Sequence, residues 1–195
     1  MKLMWNERYS GDEYVYGIQP NIFFRKTIED AKPGKILLPA EGEGRNAVFA
    51  ANLGWDVQAF DYSSQAHEKA MDLCKSKNVS IKYLVHSIDE ANYKKESFDM
   101  LAFIFAHNPN RQNQHRQLLN FLKPGGTVII EAFSKKQINN NTGGPKNIDM
   151  LFSIDELKED FSQLSELKVW EEEIVLDEGK FHSGNAAVVR LIGKK

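Results

Sequence analysis

The chain has 195 residues, of which 42% are hydrophobic and 27% charged, values typical of a globular protein rather than a disordered one. Lysine and arginine total 25 against 27 aspartate and glutamate residues, so the net charge of −2 supplies no overall attraction to nucleic acid or to an anionic membrane. A single cysteine, Cys74, excludes an intramolecular disulfide, and no stretch approaches the ~20 apolar residues of a membrane span. We therefore expect one cytoplasmic domain over 1–195, with no membrane partner and no secretory signal.

Short apolar runs alternate with helical patterns up to residue 134. Five runs are predicted as strands: Lys35–Ala40, Asp56–Asp61, Ser80–Val85, Phe98–Ala106 and Thr127–Phe133. Helical patterns lie between them: Arg45–Leu53, a helix capped by Ser63, and Asn110–Leu122. Strands that alternate with helices favour a parallel sheet with helices on both faces.

The pattern changes after the fifth strand. Lys135–Met150 is polar and long for a loop without regular structure, and such loops are usually functional or mobile. Ser153 then begins a helix with a capping box. Two further strands are predicted at Leu167–Leu176 and Ala186–Ile192, with a turn at Glu178-Gly179. The segment between them is too short for a helical crossover, so they are predicted to pair antiparallel.

A glycine loop, Gly42-Glu43-Gly44-Arg45-Asn46-Ala47, follows the first strand and opens a helix. Glycine permits close approach of a ligand to the backbone, and a helix N-terminus offers free N–H groups. Asp61 ends the next strand, where a carboxylate can accept hydrogen bonds from both hydroxyls of a ribose. The order of these features predicts a nucleoside-containing cofactor, and the alternative is a tight turn followed by a surface acid.

Two kinds of cofactor fit this loop. Gly42, Gly44 and Ala47 satisfy the dinucleotide pattern G-x-G-x-x-A, which would indicate an NAD-dependent oxidoreductase. Such an enzyme requires further parallel strands or a substrate domain after the fifth strand. The chain instead ends in a predicted antiparallel pair, which makes this alternative less favourable.

Four segments resemble class I S-adenosylmethionine-dependent methyltransferases: KILLPAEGEGRNAVFAA, Asp61, SFDMLAFIFAH and LKPGGTVIIEAF. The GEGRNA loop, the FAHNP stretch and TGGP are similar to the tellurite-resistance and thiopurine methyltransferase-like branch. This resemblance implies a Rossmann-like α/β fold, a seven-stranded mostly parallel sheet of order 3-2-1-4-5-7-6 with strand 7 antiparallel. It also implies S-adenosylmethionine as cofactor and S-adenosylhomocysteine as product.

Mapped onto this chain, the resemblance implies these cofactor-binding residues: Ala40, Glu41, Gly42, Gly44, Asn46, Asp61, Tyr62, Ser87, Ile88, Phe105 and Ala106. Ser87 would lie beside the adenine and Ile88 against its ring, unless this segment is an ordinary loop exit. The chain departs from the family pattern at Leu38, where an acid is usual, and at Ala40, where a glycine is usual. Glu41 is the candidate to replace the missing acid.

The acceptor side has two candidate residues. His107 ends the fourth strand and is either a general base or a structural hydrogen-bonding group. Arg111 is predicted to hold an anionic substrate, whereas Arg116 fits a solvated helix face. The other histidines are interpreted as surface or packing residues: His67, His86, His115 and His182. Cys74 fits a core position, and no Cys/His cluster has metal-ligand spacing.

Three regions follow along the domain: an aromatic N-terminal lid at 1–33, a cofactor-binding half at 34–134, and a loop, helix and C-terminal hairpin at 135–195. A lid of this kind closes around a substrate, and the sequence has no basic stripe for nucleic acid, so we predict a small-molecule methyl acceptor, anionic or chalcogen-containing, and no nucleic-acid partner. The altered loop at Leu38 and Ala40 also leaves open a module that binds a nucleoside or S-adenosylmethionine without catalysing a reaction.

Overall fold

The computed structural model describes residues 2–195, so only Met1 lies outside the description. Its strands are β1 Lys35–Pro39, β2 Asp56–Asp61, β3 Lys82–Val85, β4 Phe98–Ile104, β5 Leu122–Phe133, β6 Glu166–Asp177 and β7 Ser183–Lys194. Its α-helices are α1 Lys2–Tyr9, α2 Ile22–Ile28, α3 Arg45–Asn52, α4 Ser64–Lys77, α5 Arg111–Leu119 and α6 Ile154–Asp160. No helix within this range combines the length and apolarity needed to cross a membrane.

All seven strands form one sheet in the order β3-β2-β1-β4-β5-β7-β6. The pairs among β1 to β5 are parallel, whereas β7 pairs antiparallel with both β5 and β6. The predicted fold class is thus confirmed, including the antiparallel strand 7.

The core lies on the two faces of this sheet because side chains alternate along each strand. Ile36 and Leu38 pack on one face with α2, α3 and α4. Leu37 packs on the other face with α5 and α6. All three side chains are fully buried, as expected for a central strand covered on both faces.

Several element boundaries differ from the prediction. β4 ends two residues early because Phe105 adopts a left-handed φ of 53°, which turns the chain away from the sheet. β5 begins at Leu122 rather than at Thr127, and its pairing with β4 shifts register between Phe98 and Met100. The polar segment after β5 contains two short 3-10 helices, Lys135–Asn139 and Ile148–Met150.

Candidate functional site

The loop between β1 and α3 turns through three left-handed residues, Ala40, Gly42 and Gly44, with φ of 52°, 64° and 86°. Gly44 is the N-cap of α3 and has no side chain to bond the free N–H groups of the helix. Glu41 supplies that acceptor: its Oε1 accepts from the backbone N–H of Asn46 at 2.9 Å and of Ala47 at 2.7 Å. Glu41 therefore orders this loop from within the loop itself.

The two loop glycines have different neighbours. A Cβ on Gly42 would lie 2.9 Å from the hydroxyl of Tyr9, on the cavity side of the loop. A Cβ on Gly44 would lie 2.7 Å from the Cβ of Ala70 in α4, away from the cavity. The lack of a side chain at Gly44 thus serves the packing of α3 against α4, and the assignment of Gly44 as a cofactor-binding residue stays a prediction.

Asp61 lies at the carboxyl end of β2 and is 6% exposed. Its Oδ1 accepts from the backbone N–H of Ser63 at 2.9 Å, and its Oδ2 accepts from the N–H of Gly42 at 3.2 Å. Burial raises the pKa of Asp61 to about 6 in spite of these hydrogen bonds, which favour the ionised form. A carboxylate has about four acceptor positions, so Asp61 can accept a further hydrogen bond.

Two adjoining cavities open at the carboxyl edge of the parallel strands, one of about 480 Å³ and one of about 370 Å³. Their linings share five residues: Ala40, Asp61, Tyr62, Ala106 and His107. An open α/β sheet binds ligands at this edge, beside the point where the strand order reverses. The cavities therefore lie where the topology predicts a ligand.

Most of the predicted cofactor residues line these cavities. Glu41, Gly42, Asn46 and Phe105 line the larger cavity, while Ser87 and Ile88 line the smaller. The hydroxyl of Ser87 donates to Glu90 Oε2 at 2.7 Å. The sequence thus located the residues around the cavities, with Gly44 as the exception.

An N-terminal cap, defined here as residues 2–17, covers the larger cavity with aromatic side chains. Trp5 stacks on Tyr9 with ring centroids 5.4 Å apart, and the Arg8 guanidinium lies 4.9 Å from the centroid of Trp5. The cap is held to the cofactor side of the sheet by the backbone N–H of Val15, which donates to Glu43 Oε2 at 2.8 Å. The cap thus places aromatic side chains over the larger cavity, and the lid assigned to 1–33 stays a prediction.

His107 uses both ring nitrogens in structural hydrogen bonds. Nδ1 donates to the carbonyl of Met150 at 2.7 Å, and Nε2 accepts from the backbone N–H of Phe133 at 3.1 Å. Burial lowers the pKa of His107 to about 4, so the ring is neutral near pH 7. Since the lone pair of Nε2 is already occupied, the structure supports the structural alternative for His107 over the general base.

Arg111 lies outside both cavity linings. Its guanidinium pairs with Glu156 at 3.1 Å and with Asp160 at 3.3 Å, and it stacks over Phe152 at 5.4 Å from the ring centroid. These contacts tie α5 to α6. The structure does not bring Arg111 to the acceptor side, because both of its charged partners belong to the protein itself.

His182 is a cavity residue that the sequence analysis assigned to the surface or to packing. It lies in the turn between β6 and β7, with its ring centroid 4.5 Å from Tyr16 and 4.6 Å from Phe105. Its buried Nδ1 lies 3.6 Å from Glu178 Oε2 and has no hydrogen-bond partner among residues 2–195. Burial lowers the pKa of His182, which favours a neutral ring.

The topology contained a signal for His182. Because β6 is parallel to β5 and β7 is antiparallel, the turn between them returns to the carboxyl edge of the sheet. Any side chain in that turn is therefore close to the site, and His182 is the residue of the turn that can accept a proton near neutral pH.

Comparison with known proteins gives a consistent set of relatives. Residues 36–126 match the family model described as a methyltransferase domain. A tRNA (uracil(54)-C(5))-methyltransferase of Pyrococcus abyssi (strain GE5 / Orsay) is 30% identical over 148 residues, which are 65% of this chain and 35% of that protein. The chain thus spans about a third of the length of this curated relative.

Solved structures share the fold over almost the whole chain. A structure reported for the conversion of a disulfide bond into a thioacetal group during echinomycin biosynthesis has a TM-score of 0.77 and 16% identity, and covers 100% of this chain and 90% of that one. TehB from Haemophilus influenzae has a TM-score of 0.70 and 17% identity, with 100% of this chain and 66% of TehB covered. Phosphoethanolamine N-methyltransferase 2 of Haemonchus contortus, in complex with phosphomonomethylethanolamine and S-adenosylhomocysteine, has a TM-score of 0.70 and 16% identity, with 99% and 57% covered.

Proposed function

We propose that this chain, whose sheet has the fold of class I S-adenosylmethionine-dependent methyltransferases, binds S-adenosylmethionine and methylates a small-molecule acceptor. The observation that carries the proposal is the pair of adjoining cavities that meet at Asp61. A nucleoside would lie on one side of this carboxylate and the reacting group on the other. The methyltransferase family match over residues 36–126 supports the reaction class.

The residues around Asp61 fit this cofactor. Asp61 has free lone pairs for the ribose hydroxyls, and the smaller cavity, with Ser87 and Ile88, would take the adenine. Gly42 and Glu41 border the larger cavity, which would take the methionine portion. When bound, S-adenosylmethionine supplies a methyl group already activated by its sulfonium.

The protein's own contribution would be to align the acceptor, exclude water and receive a proton. Alignment of two reactants can be worth about 7–11 kcal/mol of the barrier. Trp5, Tyr9 and Tyr16 line the larger cavity and would shield it from solvent. An acceptor that must lose a proton would give it to Nε2 of His182, while a thiolate or a chalcogen oxyanion would need no base.

A small acceptor is favoured by the enclosure of the larger cavity. The cap covers one side, and Gly143, Gly144 and Pro145 border it as well. A net charge of −2 adds no electrostatic attraction to a polyanion. The tRNA methyltransferase relative makes RNA the main competitor, and the curated match covers only 35% of that protein.

The test has two steps. Isothermal titration with S-adenosylmethionine, with NADH as comparison, should show binding of S-adenosylmethionine alone. Methyl transfer from labelled cofactor should then be measured on small thiols, selenite, tellurite, bulk tRNA and protein lysate, with a boiled sample as control. Labelling of a small acceptor is the expected result. Labelling of RNA or protein alone would reject the small acceptor, and binding without any transfer would favour a non-catalytic module.

A further inference from the structure

A buried amide joins the start of α2, the sheet and the β6–β7 turn. Asn21 is 1% exposed and immediately precedes α2. Its Nδ2 donates to Glu131 Oε1 at 2.6 Å and to Glu178 Oε1 at 2.9 Å. Its Oδ1 accepts from the N–H of Phe24 at 2.9 Å, which caps α2. Both N–H groups of the amide thus donate to carboxylates, one in β5 and one in the β6–β7 turn.

The second oxygen of each carboxylate, Glu131 and Glu178, forms an ion pair with an arginine. Arg45 Nη2 lies 2.7 Å from Glu178 Oε2, and Arg190 Nε lies 2.5 Å from Glu131 Oε2. The chain of contacts is therefore arginine, carboxylate, amide, carboxylate, arginine, and its charges balance. Buried ion pairs are weak contributors to stability because desolvation opposes their attraction. Such a network therefore calls for an explanation beyond packing.

The network ends at His182. The Oε2 of Glu178 lies 3.6 Å from Nδ1 of this histidine, which has no hydrogen-bond partner among residues 2–195. Hydrogen bonds between catalytic groups are often long in the absence of ligands and shorten when substrate binds. The turn itself is docked on the cap, because a Cβ on Gly179 would overlap the carbonyl of Val15. The position of the Glu178 carboxylate therefore sets the distance between Oε2 and Nδ1 of His182.

We propose that Asn21 is a positioning residue that acts through Glu178 to hold His182 with Nδ1 toward the carboxylate and Nε2 toward the cavity. The role of His182 in this statement rests on the function proposed above. The alternative is that Asn21 only caps α2 and fills the core. The two differ because a cap needs only the Oδ1 acceptor, whereas positioning needs the Nδ2 donor.

Charged groups around His182 fix the direction of the expected change. Burial lowers the pKa of His182, Glu178 raises it, and Arg45 and Arg8 lower it. His107 also interacts with His182, although burial keeps His107 neutral near pH 7. If Glu178 loses the amide that holds it and moves away, the pKa of His182 must fall further.

Asn21→Ser separates the two roles because serine retains a cap acceptor but does not reach Glu178. Asn21→Thr is the second variant, in case the first does not fold. Asn110→Ser, at the exposed N-cap of α5, is the matched control for the same exchange. NMR titration of the 5 histidines gives the pKa of His182 without any need for activity.

We expect Asn21→Ser to lower the pKa of His182 by about half a unit or more, with Asn110→Ser unchanged. In a Glu178→Gln background, Asn21→Ser should cause no further shift, because both changes act on one path. With a methyl acceptor in hand, kcat should fall about tenfold while the Kd of the cofactor changes less than about twofold.

An unchanged pKa of His182 in folded Asn21→Ser, or a further shift in the Glu178→Gln background, would overturn the proposal. Failure of the proposed function would appear separately, as absence of methyl transfer by the wild-type protein. The histidine titration would still decide whether Asn21 acts on His182.

Discussion

The carboxylate of the loop between β1 and α3 is Glu41, three positions after the position at which the resembled family usually has an acid. Leu38, at the usual acid position, is fully buried in the core. Glu41 instead bonds the first N–H groups of α3 from inside the loop. Burial raises the pKa of Glu41 to about 7, so this carboxyl is partly protonated near neutral pH. Glu41 can take over from an acid at position 38 because the N–H groups at the start of α3 need an acceptor, and a carboxylate at either position of the loop could supply it.

Asp61→Ala tests the carboxylate on which the proposed cofactor site depends. Loss of hydrogen bonds to a charged acceptor should weaken S-adenosylmethionine binding by about 1.5–3 kcal/mol in isothermal titration. Asp56→Ala, at the exposed start of the same strand, is the control and should bind normally. Equal affinity of folded Asp61→Ala and wild type would remove Asp61 from the site.

The raised pKa of Asp61 predicts a pH dependence of cofactor affinity. The ribose hydroxyls need an ionised acceptor, and the pKa of this carboxyl in the free protein is about 6. Between pH 7.5 and pH 5, protonation should therefore reduce affinity by about tenfold. Asp61→Asn, which cannot ionise, should bind more weakly at pH 7.5 and lack this tenfold step. A flat affinity in the wild-type protein would contradict the assignment.

At the scale of elements, the helices α3 and α4 meet through a glycine. Gly44 has a left-handed φ of 86° and leaves no room for a Cβ beside Ala70. Gly54 has a similar φ of 87° but faces open space. A side chain at Gly54 would therefore cause backbone strain alone, whereas one at Gly44 would cause the same strain and also overlap with Ala70. The difference in unfolding free energy between substitutions at Gly44 and at Gly54 thus measures how closely α3 packs on α4.

Gly54→Ala should lower the free energy of unfolding by roughly 1–2 kcal/mol, the cost of a left-handed L-residue. Gly44→Ala adds overlap with α4, and overpacking costs a further 1–3 kcal/mol or so. Chemical denaturation of both variants measures the difference. Equal losses would show that α4 moves aside without cost, and Gly44 would then owe its presence to the turn alone.

The sequence predicted regular elements well where a local signal exists. Ser63 bonds the N–H of Ala66, and Ser153 forms the capping box with Glu156, because caps depend on residues close in the chain. The early end of β4 had no such signal. Phe105 turns left-handed through contacts that the sequence does not display, including its backbone N–H, which donates to the carbonyl of Glu131 at 2.7 Å.

At the scale of the whole molecule, the sequence located the cofactor side of the site better than the acceptor side. The loop at Gly42 and the acid at Asp61 are local motifs at strand ends, and both line a cavity. The acceptor side is assembled from the cap, the β6–β7 turn and the segment around Gly143, which are far apart in sequence. The position of His107 at the end of the fourth strand favoured this histidine, whose ring nitrogens are both occupied. His182 was assigned to the surface or to packing, although the antiparallel strand brings it to the same edge of the sheet.

A crystal structure of the complex with S-adenosylhomocysteine tests the central claim most directly. The account predicts the adenine in the smaller cavity beside Ser87 and Ile88, the ribose hydroxyls on Asp61, and the sulfur in the larger cavity on the side of His182. A complex in which Asp61 makes no contact with the ribose, or in which the sulfur points away from the cavity that His182 lines, would contradict it.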